Sequence, residues 1–251
     1  MEYNTINKYR SAISADHVGF GQEKAGQHPQ ITALLKGMFN RKPPQPRYMT
    51  TWNVDLVLNL LRTWPEDGTL SLRQISLKVT MLMALTGAMR RSELQLLQIH
   101  HMLDKGNAIE FHIEGLTKTR RVGQAPYIIK FQEYQQEPKL NVAASIRHYI
   151  TRTAQIRGEQ TQMLISYVKP HRAITPCSVA RWLQTCMFLA GVDTSIYKAH
   201  STRSASTSKA KRQGLSSQEI MERANWKRET TFQRYYHKPA ATNTFQQIVL
   251  K

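Results

Sequence analysis

His200-Ser201-Thr202-Arg203 opens a basic stretch that reads as a helix as far as Gln213 and stops at Gly214. Glycine is the residue that most readily ends a helix in a left-handed turn. His200 and Arg203 are three positions apart, a spacing that predicts a shared helical face. Ser216 and Glu219 then have the spacing of a capping box, for a helix leading to Trp226. An indole donates one hydrogen bond and accepts none, so Trp226 either supports an oxygen or fills core. A last helix carries Tyr235 and Tyr236, nine and ten positions after Trp226.

Working toward the N-terminus, Pro176 suits the first turn of a helix running to Ala190. Val142 to Ile156 has the pattern of an amphipathic helix. Ile109, Phe111 and Ile113 alternate with polar residues as a strand does, and Tyr127 to Phe131 reads as a second strand. Between them lies a basic turn, 114–123, carrying Lys118. Leu70 to Leu85 predicts a long buried helix, and Val54, Val57, Leu58 and Leu61 one face of another. Thr86-Gly87 separates the long helix from Arg90-Arg91-Ser92-Glu93, where Arg90 and Glu93 are spaced to share a face. An arginine placed there can aim its planar fork at a phosphate while the carboxylate steadies it.

Residues 1–40 read as polar helices, and Pro43, Pro44 and Pro46 break them. The expected fold class is therefore mainly α with a small antiparallel sheet. The expected domains are a short N-terminal helical segment at 1–42, a proline-rich linker at 43–50, and a larger domain at 51–251.

Charge narrows the partner. Lys and Arg number 35 against 17 Asp and Glu in 251 residues, a formal net charge of +18 spread along the whole chain. Such a field favours a polyanion. Two cysteines, Cys177 and Cys186, make no disulfide framework and fit a reducing compartment. No apolar run approaches the ~20 residues that span a bilayer, and the N-terminus has no secretory pattern. The expectation is a soluble intracellular protein, nuclear if eukaryotic and otherwise cytoplasmic, with no membrane partner. His100-His101 lacks carboxylate or cysteine partners at ligand spacing, so no metal and no cofactor are expected.

Two arginines, a lysine, a histidine, an indole and a phenol are what is needed to hold a phosphodiester and attack it without a metal. Their order, Arg90, Lys118, His200, Arg203, Trp226, Tyr235/Tyr236, resembles the catalytic set of the tyrosine recombinase (phage integrase) family. Thr86-Gly87…Arg90-Arg91-Ser92-Glu93-Leu94 is similar to its first arginine box, Gly115-Leu116-Thr117-Lys118-Thr119 to its hairpin lysine, and His200-Ser201-Thr202-Arg203 to its His-x-x-Arg box. The first box is one residue longer than the usual Thr-Gly-x-Arg. The N-terminal segment, where the family has a DNA-clasping domain, is short. Gly26-Gln27-His28-Pro29, Pro43-Pro44-Gln45-Pro46-Arg47-Tyr48 and 231–239 resemble the recombinases of DIRS-type retrotransposons in particular.

The resemblance implies a catalytic set of Arg90, Glu93, Lys118, His200, Arg203, Trp226 and Tyr235 or Tyr236. The nine-residue gap from Trp226 selects Tyr235, whereas DIRS-type relatives place their tyrosine where Tyr236 stands. It also implies metal- and ATP-independent strand transfer through a 3′-phosphotyrosine, on double-stranded DNA, by a homo-tetramer holding two duplexes. Three other readings remain open. They are a type IB topoisomerase, an inactive DNA-binding protein derived from a mobile element, and a basic helical RNA binder.

Overall fold

A computed structural model of the chain describes residues 2–17, 19, 21, 23–45, 49–115, 117 and 127–226. The chain forms two units, Met1–Arg47 and Tyr48–Lys251. The first contains helices α1 (Tyr3–Asp16) and α2 (Pro29–Arg41). Pro29 takes the first helical position of α2, where its missing N–H is no loss. The chain enters α2 through a tight turn at Ala25–Gln27, whose Gly26 N–H donates to Ser14 Oγ at 3.0 Å. A Cβ at Gly26 would lie 2.8 Å from Ser14 Cβ, so only glycine lets the turn pass this close to α1. Tyr3 and Phe39 meet edge to face, with ring centroids 5.3 Å apart.

The second unit runs α3 (Val54–Thr63), α4 (Leu72–Thr86), α5 (Arg91–Gln95), β1 (Met102–Asp104), β2 (Ala108–Ile113), β3 (Tyr127–Gln132), α6 (Val142–Thr153), α7 (Pro176–Leu189), α8 (Ser201–Arg212) and α9 (Ser217–Arg223). This is the mostly helical architecture with a small sheet that the sequence predicts. Helix α4 is its axis. Every residue from Ile75 to Leu85 is buried, as in a helix surrounded by others, and α4 packs on α5, α6, α7 and α8. Ser71 and Gln74 close its N-terminus with a capping box. Lys78 lies within this apolar run because its ammonium meets Asp67 at 2.5 Å, and the other Asp67 oxygen accepts from Ser145 Oγ of α6 at 2.6 Å. A buried charge is tolerated only when paired and hydrogen-bonded in this way.

The sheet has the order β1-β2-β3, both pairs antiparallel. Ile109 faces Phe131 and Phe111 faces Ile129 across β2 and β3, all buried, which accounts for the alternation in the sequence. Ile113 pairs with Tyr127 at the end where the chain leaves the sheet toward Lys118. Strand β1 was not expected: three residues are too few to display a period, and Leu103 and Asp104 are exposed. Helix α6 ends at Thr153, three residues before the expected Ile156.

Two helix ends match the sequence reading closely. Pro176 is the first residue of α7, behind a Thr175 cap whose Oγ1 accepts from Ser178 N–H at 3.2 Å. Gly214 follows α8 at φ +95°, with Gly214 N–H on Lys211 O and Leu215 N–H on Ala210 O. That pair of bonds is the Schellman closure. Among the described residues no helix is long and apolar enough to cross a membrane, and no group of three or more His, Cys, Asp or Glu could hold a metal ion.

Candidate active site

The turn after α4 delivers Arg90. Met89 N–H bonds Ala84 O and Ala88 N–H bonds Leu85 O, a Schellman closure with Ala88 in the left-handed position at φ +45°. Gly87 is the helix cap, where an added Cβ would lie 2.7 Å from Ile129 Cδ1 and 2.8 Å from Met83 O. Glycine is thus needed at 87 for space, and alanine bears the positive φ at 88.

Arg90 and Glu93 do not share a helical face, as their spacing suggested. Arg90 is the N-cap of α5, outside the helix, and Glu93 is its third residue. The Glu93 carboxylate reaches back to accept Arg90 N–H at 2.8 Å, half of a capping box that a guanidinium cannot reciprocate because it accepts nothing. Its other oxygen accepts from the Arg90 guanidinium.

Helix α8 brings the second arginine. Its start is fixed by Trp52, whose Nε1 donates to Ser201 Oγ at 2.9 Å, and by Ser201 Oγ donating to Lys198 O at 2.7 Å. Arg203, with a side chain only 1% exposed, donates from Nη1 to Glu93 at 3.3 Å and from Nη2 to the carbonyl of Ala224. Its Cζ lies 4.7 Å from the centroid of the Trp226 ring, within cation–π range. Glu93 therefore joins two arginines that stand more than a hundred residues apart in sequence.

Trp226 arrives as α9 closes. Ser216 and Glu219 form the expected capping box at its start. At its end Asn225 occupies the left-handed position at φ +49°, and Trp226 N–H bonds Met221 O at 2.8 Å. Trp226 packs with Ala88, Ile220 and Ala224 in a small buried cluster separate from the main core. It fills space and covers Arg203 at once.

The structure thus gathers Arg90, Glu93, Arg203 and Trp226. His200 stands at the N-cap of α8 and is exposed, in contrast to buried Arg203, so the pair does not present one uniform face. The Arg90 side chain is 13% exposed, so it is the arginine nearer solvent. Lys118, Tyr235 and Tyr236, the basic turn beyond Thr117 and the expected last helix lie outside the described residues. His100 and His101 meet edge to face, ring centroids 4.0 Å apart, on a tight turn before β1, with His101 Nε2 3.5 Å from Glu114.

Two site-adjacent residues escaped the sequence reading. Tyr127 Oη donates to the carbonyl of Arg223 at 2.8 Å. Burial pushes its phenol pKa up, with Glu93, Arg203 and Arg90 near enough to act on it electrostatically. This phenol is held protonated and is not set up to attack. Arg223 donates from Nε to Thr86 O at 2.8 Å and from Nη1 to Lys130 O at 2.6 Å. Neither residue belongs to a local motif.

A fold of helices around a small sheet sets two arginines on one glutamate under a tryptophan, an arrangement of donors suited to an anionic oxygen. Residues 48–241 match the model of the phage integrase family, and the chain belongs to that family, the tyrosine recombinases. Solved structures repeat the fold. XerH site-specific recombinase bound to palindromic difH substrate, in a post-cleavage complex, aligns with a TM-score of 0.59 at 12% identity, over 94% of this chain and 69% of that one. The Tn1549 transposon integrase with transposon right-end DNA gives 0.59 at 12%, over 100% and 78%. A lambda integrase tetramer bound to a Holliday junction gives 0.53 at 13%, over 96% and 59%. No curated protein sequence matches.

Proposed function

We propose that the chain breaks and rejoins duplex DNA at specific sites through a 3′-phosphotyrosine. The observation that carries this reading is the convergence of Arg90 and Arg203 on Glu93 beneath Trp226. A phenol oxygen, Tyr235 or Tyr236, attacks the scissile phosphorus. Its O–P bond forms as the P–O5′ bond breaks, and a partner strand's 5′-hydroxyl later reverses the exchange. Splitting the transfer in two is covalent catalysis. A free phenol has pKa ≈ 10, so its proton needs an acceptor, the role given to His200. Lys118 supplies the proton taken up by the departing 5′-oxygen.

Arg90, the more exposed arginine, meets a non-bridging oxygen directly. Arg203 joins it by exchanging the Ala224 carbonyl for a phosphate oxygen. A transition-state arginine is worth a factor of about 10³–10⁵ in rate. The basic pair α1–α2 serves as a partial DNA clasp, and the working assembly is a tetramer on two duplexes. The three DIRS-like stretches support a source in a mobile element of that type.

Incubation with a library of nicked duplexes, followed by sequencing of protein-linked ends, tests the reading and recovers the cleavage site. A covalent adduct is expected in excess EDTA and without ATP. Tyr235→Phe or Tyr236→Phe, one of the two, abolishes it while leaving DNA binding intact. If both single variants still form the adduct, the nucleophile is elsewhere. Binding without any adduct favours a DNA-binding remnant, and relaxation of supercoils without a matched site favours a topoisomerase.

A further inference from the structure

We infer that Arg223, acting with Tyr127, is the positioning residue of the hairpin lysine: it fastens the base of the segment that carries Lys118 to the helix end that carries Trp226. The inference rests on the reading of Lys118 as the proton donor.

Lys118 follows β2 and precedes β3, and the Ile113–Tyr127 pair is where that segment leaves the sheet. Both sides of this base are pinned. On one side Gly115 lies so close to the end of α5 that a Cβ would meet Leu96 Cδ2 at 2.7 Å. On the other, Tyr127 Oη donates to Arg223 O at 2.8 Å. The Arg223 guanidinium then spreads over three elements. It holds Thr86 O, a helix-end carbonyl four residues before Arg90, and Lys130 O of β3, and its Cζ lies 5.7 Å from the Phe131 ring.

Only arginine has a planar fork that can donate in two fixed directions while its face rests on an aromatic ring. Lysine would reach one carbonyl at a time. A leucine would leave the Thr86 carbonyl to find another donor. Burial lowers the Arg223 pKa, and among the described residues no carboxylate pairs with it. A half-buried cation donating to two carbonyls is an unfavourable way to fill space and an effective way to lock three elements together. The next residue, Ala224, holds Arg203, and Trp226 follows two positions later. One side chain therefore sets the hairpin base, the Arg90 turn and the Trp226 turn relative to one another.

The test compares single-turnover adduct formation by the full chain on two nicked duplexes carrying the recovered cleavage site. One has the ordinary 5′-oxygen at the scissile bond, the other a 5′-bridging sulfur, which leaves as a thiolate and needs no proton. Arg223→Ala is expected to slow the oxygen substrate by about 10²-fold, the scale of general acid catalysis. On the sulfur substrate it should approach the parent rate, with DNA affinity unchanged. Arg223→Lys should fall between the two.

Tyr127→Phe, which keeps the ring and removes one bond, should show the same pattern more weakly. It supplies the answer if Arg223→Ala does not fold. Lys118→Ala is the reference. If sulfur rescues Lys118→Ala but neither Arg223→Ala nor Tyr127→Phe, the positioning role is wrong. If sulfur fails to rescue Lys118→Ala, the proton-donor reading falls first and takes this one with it. Loss of DNA affinity in Arg223→Ala, equal on both substrates, would make Arg223 a phosphate contact instead.

Discussion

Replacing Glu93 by glutamine changes one atom type and strains the whole cluster. Three donors converge on its two oxygens: Arg90 N–H and Arg203 Nη1 on Oε2, and the Arg90 guanidinium on Oε1. An amide must turn its NH₂ toward one of these positions. Facing it toward Oε2 breaks two bonds, so it will face the Arg90 guanidinium and break one. The neutral amide also leaves Arg203, 1% exposed, without its anion.

Losing a charge-assisted bond costs about 1.5–3 kcal/mol and unpairing a buried ion about 3–5. Arg203 keeps the Ala224 carbonyl and the Trp226 face, which offset part of the second cost and bring the total to about 3 kcal/mol. For a unit of about 200 residues that is a fall in Tm of roughly 6–12 °C. With Arg90 released from its anchor, adduct formation should slow by about 10²-fold, the effect of a small misplacement of a catalytic group. DNA affinity should hold or rise, since a negative charge beside the phosphate has gone. Thermal unfolding, suicide-substrate trapping and equilibrium binding measure the three. A Tm within about 2 °C of the parent, together with an unchanged trapping rate, would refute the view of Glu93 as the hub.

Neighbouring positions after α4 should respond with opposite signs in chemical denaturation. Ala88→Gly relieves a left-handed alanine and stabilises by about 1 kcal/mol. Gly87→Ala drives a methyl against Ile129 and the Met83 carbonyl and destabilises by about 1–3 kcal/mol. Burial pushes the Cys186 thiol up to about 12 while Cys177 is exposed, so thiolate reagents at pH 8 should label the native chain once and the denatured chain twice, by mass spectrometry. The Arg147 hydrogen bond lowers Asp104 to about 2. A lowered folded pKa contributes stability above the unfolded value near 4 and loses it as pH falls toward about 2. Asp104→Asn should therefore destabilise slightly at pH 7 and not at pH 2, in denaturation curves at the two pH values.

Local chemistry made some of this legible in sequence. Gly214 ends α8 and the Ser216–Glu219 box starts α9 because each signal is complete within a few residues. The Arg90–Glu93 spacing pointed to the right pair for the wrong reason. It is a helix-entry contact, and three residues of separation do not distinguish that from a shared face. Ala88 was opaque because the sequence does not show which residue of Gly87-Ala88 takes the positive φ; packing against Ile129 decides it. Tyr127 and Arg223 were invisible for a different reason. Their bonds to each other and to Thr86 and Lys130 span some ninety to 137 positions and end on backbone carbonyls, which carry no side-chain signature.

Among the described residues, one carboxylate between two guanidiniums leaves the cluster a unit of positive charge in surplus, partly shielded from water by an indole. A folded chain in that condition is electrostatically unfinished. An incoming phosphodiester is then less a guest than the missing counterion, and whatever free energy the empty protein forgoes by carrying the imbalance is returned when the anion seats. The carboxylate that firms the empty fold is then also the charge that tempers its grip on the nucleic acid, so removing it trades one for the other.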